Sequence, residues 1–260
     1  MLTLKQVCQN TLNDSLVARC ATVIVEHNID SKNLPQDLQN EIQKCKDRLN
    51  NLLVSALNGQ KCTVNNYERH LYRLSCIPEL IQSGAHLFTA NCDGQSALHV
   101  AALMNDVPLV KFLLARCFPE DLNNFINEQD CNNNTPLHCA AIANASESME
   151  LLINAGADLF ASGTYERKPL HSAAEFGAIK TITLLLENGA DINALDEMGN
   201  TPLHLAARMD NAWAVHYLLN HGAQPAIKNE DGKTPLDFAY HFGTCKSALL
   251  LRDNLNEKNR

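Results

Sequence analysis

Aromatic side chains are scarce in this 260-residue chain: eight Phe, five Tyr and one Trp make up 5% of it. So few large rings argue against one bulky core, and the abundance of Ala, Leu and Asn suits thin helical layers instead. No apolar run approaches the length that spans a bilayer. The opening MLTLKQVCQN lacks the charge and apolar core of a secretion signal. Ten cysteines are present, yet none forms a C-x-x-C pair or stands beside a His at zinc-finger spacing, which argues against a metal site. The expectation is a soluble protein of a reducing compartment, the cytoplasm, or the host cytosol if the source is a bacterium that secretes it. Positive charge is also in short supply. Lys and Arg number 21 against 29 Asp and Glu, for a net charge of −8. Residues 1–65 carry +1, so the remainder carries −9. A surface of that sign offers no general attraction to nucleic acid or to an anionic membrane.

What the chain does have is repetition. QSALHVAA, NTPLHCAA, RKPLHSAA, GNTPLHLAA and KTPLDFAY place His99, His138, His171, His204 and Asp237 at one motif position. From His138 onward the copies are evenly spaced, and the first interval is longer by six. Gly84, Gly156, Gly189 and Gly222 each stand at one fixed distance before the His or Asp of the next copy. Each motif reads as local structure. Thr201-Pro202 predicts a helix start, with the hydroxyl capping free N–H groups and proline at the first helical position. Ala206-Ala207 keeps that helix thin, so that neighbours approach closely. Ala214, Val215, Leu218 and Leu219 form the apolar stripe of a second helix. Gly222 ends it in a left-handed conformation.

These five copies resemble the ankyrin repeat family over residues 61–260. The resemblance implies an all-α solenoid of five recognisable repeats, each a finger-like turn followed by two helices. YERHLYRLSCIPELIQS reads as a degenerate leading repeat, and an N-terminal helical segment, residues 1–60, precedes it. The six extra residues before His138 fall within RCFPEDLNNFIN and predict a longer loop after the second helix. The four histidines are then architectural, because copies spaced so far apart do not converge on one substrate. In the family the corresponding imidazole hydrogen-bonds within and between layers. Gly163 and Glu166 stand where the finger usually carries Asp and Gly.

No G-x-S-x-G, H-E-x-x-H or G-x-G-x-x-G occurs. Gly232-Lys233-Thr234 looks like the end of a phosphate-binding loop, but Ile227 occupies the required glycine position and the stretch aligns with GNT of the repeat. No enzymatic activity, cofactor or metal is expected. Family members bind proteins through finger tips and the exposed side of the first helices. Carried over, that concave face holds Met104, Phe176, Arg208, Met209 and Phe242, with Tyr165, Arg167 and Met198 from the fingers. Trp213 joins them as an apolar residue at a usually polar second-helix position. Met104, Phe176, Met209 and Phe242 imply an apolar groove, or else side chains packed between layers or against the long loop. Asn193 in LLLENGADINA resembles sites that asparaginyl hydroxylases modify; the alternative is an asparagine that stabilises its turn. The implied role is a monomeric module with a protein partner.

Residues 1–60 carry no copy of the repeat signature. SLVARCATVI places Leu16, Cys20 and Ile24 at i, i+4 and i+8, roughly one helical face; LPQDLQNEI follows from Leu34-Pro35. That order resembles the suppressor-of-cytokine-signalling box. The resemblance implies that Leu16 enters an apolar pocket on elongin C, supported by Cys20 and Ile24, while Leu34 and Pro35 begin a cullin contact. LPQDLQNEI also resembles the opening of an F-box, which contacts another adaptor of the same ligase class. Gln36-Asp37 departs from the usual L-P-x-P element, and TLKQVCQNTL meets the same short pattern at Leu4, Cys8 and Leu12. Two readings follow: a substrate-recruiting adaptor of a cullin-type ubiquitin ligase, or a scaffold or competitive inhibitor whose N-terminal helices only cap the solenoid.

Overall fold

The structure, a computed structural model, describes residues 84–258 continuously, together with residues 77–82 and ten helical positions between 40 and 57. The described residues fall into two compact units. One holds those up to Ala97 together with Ala115–Cys117, and the other holds Leu98–Leu114 with the described residues from Phe118 onward. In the first unit, α1 (Ile77–Gln82) buries Ile77, Leu80 and Ile81. Leu53, Ala56 and Leu57 are buried as well. Asn50 Oδ1 accepts the His86 N–H at 2.7 Å, and the turn before His86 contains Gly84 at φ 103°.

The helices that follow are α2 (Ala97–Leu103), α3 (Val107–Arg116), α4 (Leu122–Ile126), α5 (Pro136–Ile142) and α6 (Ser146–Asn154). They continue as α7 (Pro169–Glu175), α8 (Ile179–Glu187), α9 (Pro202–Arg208), α10 (Ala212–Asn220), α11 (Pro235–Phe242) and α12 (Cys245–Lys258). Among the described residues the fold is all-α. Proline opens α5, α7, α9 and α11, where a missing N–H costs nothing because the first turn has no intrahelical acceptor for it. The paired alanines Ala173-Ala174 and Ala206-Ala207 are wholly buried, which lets successive first helices pack at close range. The second helices bury one stripe each: Ile182 and Leu185 in α8, and Ala214, Val215, Leu218 and Leu219 in α10. Gly222 then takes φ 97°, and the Ala223 N–H closes the helix end onto Leu218 O at 2.9 Å.

Two findings go beyond the sequence expectation. The insertion before His138 is not simply a longer loop: it contains α4, whose Phe125 and Ile126 are fully buried. Leu122, Phe125 and Ile126 stand at i, i+3 and i+4, so one turn suffices to bury an apolar edge. The Thr201 cap is shared with a side chain of the helix it opens. The His204 ring closes a capping box with Thr201, its Nδ1 lying 2.9 Å from the hydroxyl.

Those histidines join the layers. His138 Nδ1 accepts the Thr135 N–H at 3.2 Å, and its Nε2–H donates to Arg167 O at 2.9 Å. His171 repeats the arrangement with Lys168 N–H (3.1 Å) and Asn200 O (3.0 Å), and His204 with Thr201 N–H (3.1 Å) and Lys233 O (3.0 Å). His99 Nε2–H donates to Asn134 O at 3.0 Å. All four rings are inaccessible to solvent. Burial pushes every one of them below the ordinary imidazole value, His138 and His171 to about 4. They are neutral, with the proton on Nε2. Asp237 breaks the series. Its Oδ2 accepts the Thr234 N–H at 2.8 Å, and it is exposed. The two bonds to Thr234 hold its carboxyl below the usual range.

A second set of bonds links each inter-helix turn to the next layer. Asn105, Asn144 and Asp210 sit at φ 52°, 54° and 53°. Their Oδ1 atoms accept the Ser148, Thr181 and Ser247 N–H groups at 3.1, 3.4 and 2.9 Å, at the starts of α6, α8 and α12. At the equivalent turn of α7–α8 stands Gly177. There Asn211 of the following layer reaches back instead, its Nδ2 donating to Glu175 O at 2.6 Å, and a Cβ on Gly177 would stand only 3.0 Å from its Cγ and Oδ1.

Candidate partner-binding face

Phe176, Met209 and Phe242 hold one repeat position in three successive copies, at the C-terminal ends of α7, α9 and α11. Each is more than half exposed, at 57%, 52% and 53%. The side chains are not taken up between layers, as the packing alternative would require. Met104, their counterpart after α2, is half-buried, and Ala143 holds the position after α5. A parallel row comes from the fingers: Tyr165 and Met198 are both exposed, and Asp231 stands at the next equivalent position.

An ion-pair network joins these rows. Arg167 Nη1 lies 2.9 Å from Glu175 Oε2, and its Nε is 3.6 Å from Asp196 Oδ2. Arg208 Nη2 binds the other oxygen, Glu175 Oε1. One carboxylate thus clamps a finger guanidinium and the guanidinium of the following first helix. The side chains keep only 16–26% of their exposure, so the pairs are partly shielded from water and stronger than open surface pairs. Arg167 also stacks over the Tyr165 ring, 5.5 Å from its centroid.

The finger carrying Tyr165 is itself unusual. Gly163 occupies the position at which Asp130 and Asp196 accept finger N–H groups through Oδ1. A Cβ there would sit 2.9 Å from both Asn134 Oδ1 and His138 Nε2. Tyr165 and Glu166 adopt φ 58° and 55°, a conformation costing roughly 1–2 kcal/mol for each non-glycine residue. The Glu197 N–H donates to Tyr165 O at 2.8 Å and holds that turn in place. Backbone strain of this kind persists where surrounding contacts fix it, and it often marks a working surface.

The structure brings Tyr165, Arg167, Phe176, Met198, Arg208 and Met209 into three neighbouring layers. Trp213 is 81% exposed and lies on the second helix α10, apart from the first-helix and finger rows. Asn193 is half-buried, and its Oδ1 accepts the Gln224 N–H of the next layer at 2.9 Å. Leu16, Cys20, Ile24, Leu34 and Pro35 lie outside the described residues. Glu175 holds the concave-face position beside Phe176; what sequence did not disclose is its pairing, with partners from 8 residues upstream and 33 downstream. Among the described residues no cluster of His, Cys, Asp or Glu is placed to hold a metal, and no helix is long and apolar enough to cross a membrane.

Stacked finger-and-two-helix layers define a repeat protein of the ankyrin type, and comparison with known families agrees. The family model described as "Ankyrin repeats (3 copies)" matches residues 69–163, 121–196 and 170–260, so the chain belongs to the ankyrin-repeat family. Such repeats form protein–protein interaction modules and are in general non-catalytic. Curated relatives include a putative palmitoyltransferase, ZDHHC13 of Danio rerio, 31% identical over 115 residues that cover 33% of this chain and 18% of that protein. Protein PhlB of Serratia liquefaciens is 35% identical over 82 residues, 32% of this chain and 34% of its own length. The matched stretches therefore cover well under two thirds of either relative.

Proposed function

We propose that the face carrying Phe176, Met209 and Phe242 captures a partner protein without chemical conversion. The observation that carries this reading is the exposure of all three side chains at one repeat position, beside an ion-pair network that fixes the surrounding surface. Exposed apolar side chains in register are what an interface needs for its anchors. The test compares clients recovered by proximity labelling with wild type and with a Phe176→Ala, Met209→Ala variant. Binding should weaken by about 2–4 kcal/mol, with circular dichroism and melting temperature preserved. A client held equally well by the variant overturns the reading.

A finer role, recruitment of that partner to a cullin-type ubiquitin ligase, is supported by the sequence pattern of Leu16, Cys20, Ile24, Leu34 and Pro35. Pull-down of wild type and Leu16→Asp, probed for elongin and F-box adaptors, tests it. Absence of any adaptor with wild type removes the ligase role, and equal recovery by both removes the docking helix. In either case the scaffold or competitive-inhibitor reading stands on the same repeat face. A reducing setting, cytoplasmic or host-cytosolic, is supported by the free thiols of Cys131, Cys139 and Cys245.

A further inference from the structure

We infer that the segment bound on this face is an extended, basic stretch of the partner with an apolar side chain at every third residue; this rests on the protein-binding reading above. The spacing follows from the layers. Packed helices lie about 8–10 Å apart, and wholly buried alanine pairs such as Ala173-Ala174 and Ala206-Ala207 favour the short end of that range. At that spacing Phe176, Met209 and Phe242, one repeat position in three successive layers, would recur about 8–10 Å apart. A polyproline II segment returns to the same face every three residues, after about 9.3 Å. A β-strand returns every two residues, after roughly 6.6 Å, which is too short. A helix returns after seven residues, about 10.5 Å, and overshoots further at each layer.

The charge follows from which groups are already occupied. Glu175 and Asp196 together balance the charge of Arg167 and Arg208, so both guanidiniums are already engaged and neither is free to receive an acidic or phosphorylated segment. The carboxylates of Glu166, Glu197, Glu230 and Asp231 are exposed at the finger tips and make no ion pair among the described residues. Lys168 is spent on Ser162 Oγ at 2.6 Å, leaving Lys233, with Lys228 just before that finger, as the exposed counter-charge. The backbone ties Glu197 to Tyr165 and Glu230 to Met198, at 2.8 and 3.0 Å, so these exposed glutamates stand next to the residues of the finger row. Lys or Arg side chains between the apolar positions of the partner would meet them, within a region whose overall charge is −9 over residues 66–260.

The probe is a random-peptide display library selected on the full chain, with the enriched peptides then measured by fluorescence polarisation. The expected consensus has Leu, Met, Phe or Pro at three-residue spacing with Lys or Arg between. Binding should fall roughly 5–10-fold for Glu197→Lys with Glu230→Lys, and be lost for Phe176→Ser with Met209→Ser. Acidic peptides, a seven-residue helical spacing, enrichment that survives both variants, or no enrichment at all would each overturn the inference. The cellular client separates this failure from that of the broader reading. If labelling still depends on Phe176 and Met209 while the selected peptides disagree, only the partner chemistry is wrong.

Discussion

His171 donates its Nε2–H to the backbone carbonyl of Asn200, 3.0 Å away in the following layer, while its Nδ1 accepts the Lys168 N–H of its own. One ring thus satisfies a helix start and an inter-layer carbonyl together. Replacing it with leucine keeps the volume but strands both groups. His171→Leu should destabilise the protein by about 2–4 kcal/mol. Urea unfolding would show a lower midpoint with an unchanged slope, and a loss below roughly 0.5 kcal/mol would mean that water replaces both bonds.

The same rings set the response to acid. His138 and His171 titrate near 4 in the native state, depressed by burial and only partly offset by their carbonyl partners and by Asp130 and Asp196 respectively. Lys168 and Arg167 push the same way as burial. The unfolded chain protonates them near 6.5. Their stabilisation is therefore complete above about pH 6.5 and is lost as pH falls toward 4, with about two protons taken up by these two rings on unfolding and a further contribution from His99 and His204, which burial also lowers. Denaturation midpoints measured across the range should show this slope, and His171→Leu should reduce it by about one proton.

Glu175 spans two guanidiniums, so its removal is felt twice. Glu175→Ala should cost about 1–2 kcal/mol, less than a fully buried pair because the partners retain some solvent. A double-mutant cycle with Arg208→Ala should return a coupling of about 1 kcal/mol. Coupling indistinguishable from zero would mean that the arginines find equal partners in water.

Gly163 and Gly232 make opposite demands. A methyl at Gly163 meets Asn134 and the His138 ring at 2.9 Å, so Gly163→Ala should cost about 1–3 kcal/mol through overpacking. At Gly232, φ is 70° and the surrounding space is open, so Gly232→Ala should cost only the roughly 1–2 kcal/mol of a left-handed alanine. Thermal melts of the two variants distinguish crowding from backbone preference.

Spacing made the layers legible. His138, His171 and His204 declare their role by recurring at one constant interval, and Thr-Pro and Gly-Ala mark helix starts and stops with local chemistry that sequence carries directly. Phe176, Met209 and Phe242 were legible for the same reason, as apolar residues at a position where solvent favours polar ones. The clamp made by Glu175 was not, because it depends on two arginines from different repeats whose side-chain paths no local pattern encodes. The share of His204 in the Thr201 cap went unseen because Glu or Gln, not histidine, is the usual partner at the third helical position. Helix α4 was hidden by its brevity, since a single turn leaves no period to detect.

The turn at Gly177 has a consequence for modularity. Elsewhere an Asn or Asp reaches forward into the next layer, whereas at this seam Asn211 reaches back into the space that a side chain on Gly177 would fill. Repeats are therefore not freely interchangeable along this array. Transplanting a forward-reaching unit in front of Asn211 would force two side chains into one volume, and placing the Gly177 unit before a layer without Asn211 would leave a vacancy. Evolution by duplication or shuffling would have to carry Gly177 and Asn211 as an inherited couple, which fixes the neighbour order of the very layers that display Phe176 and Met209.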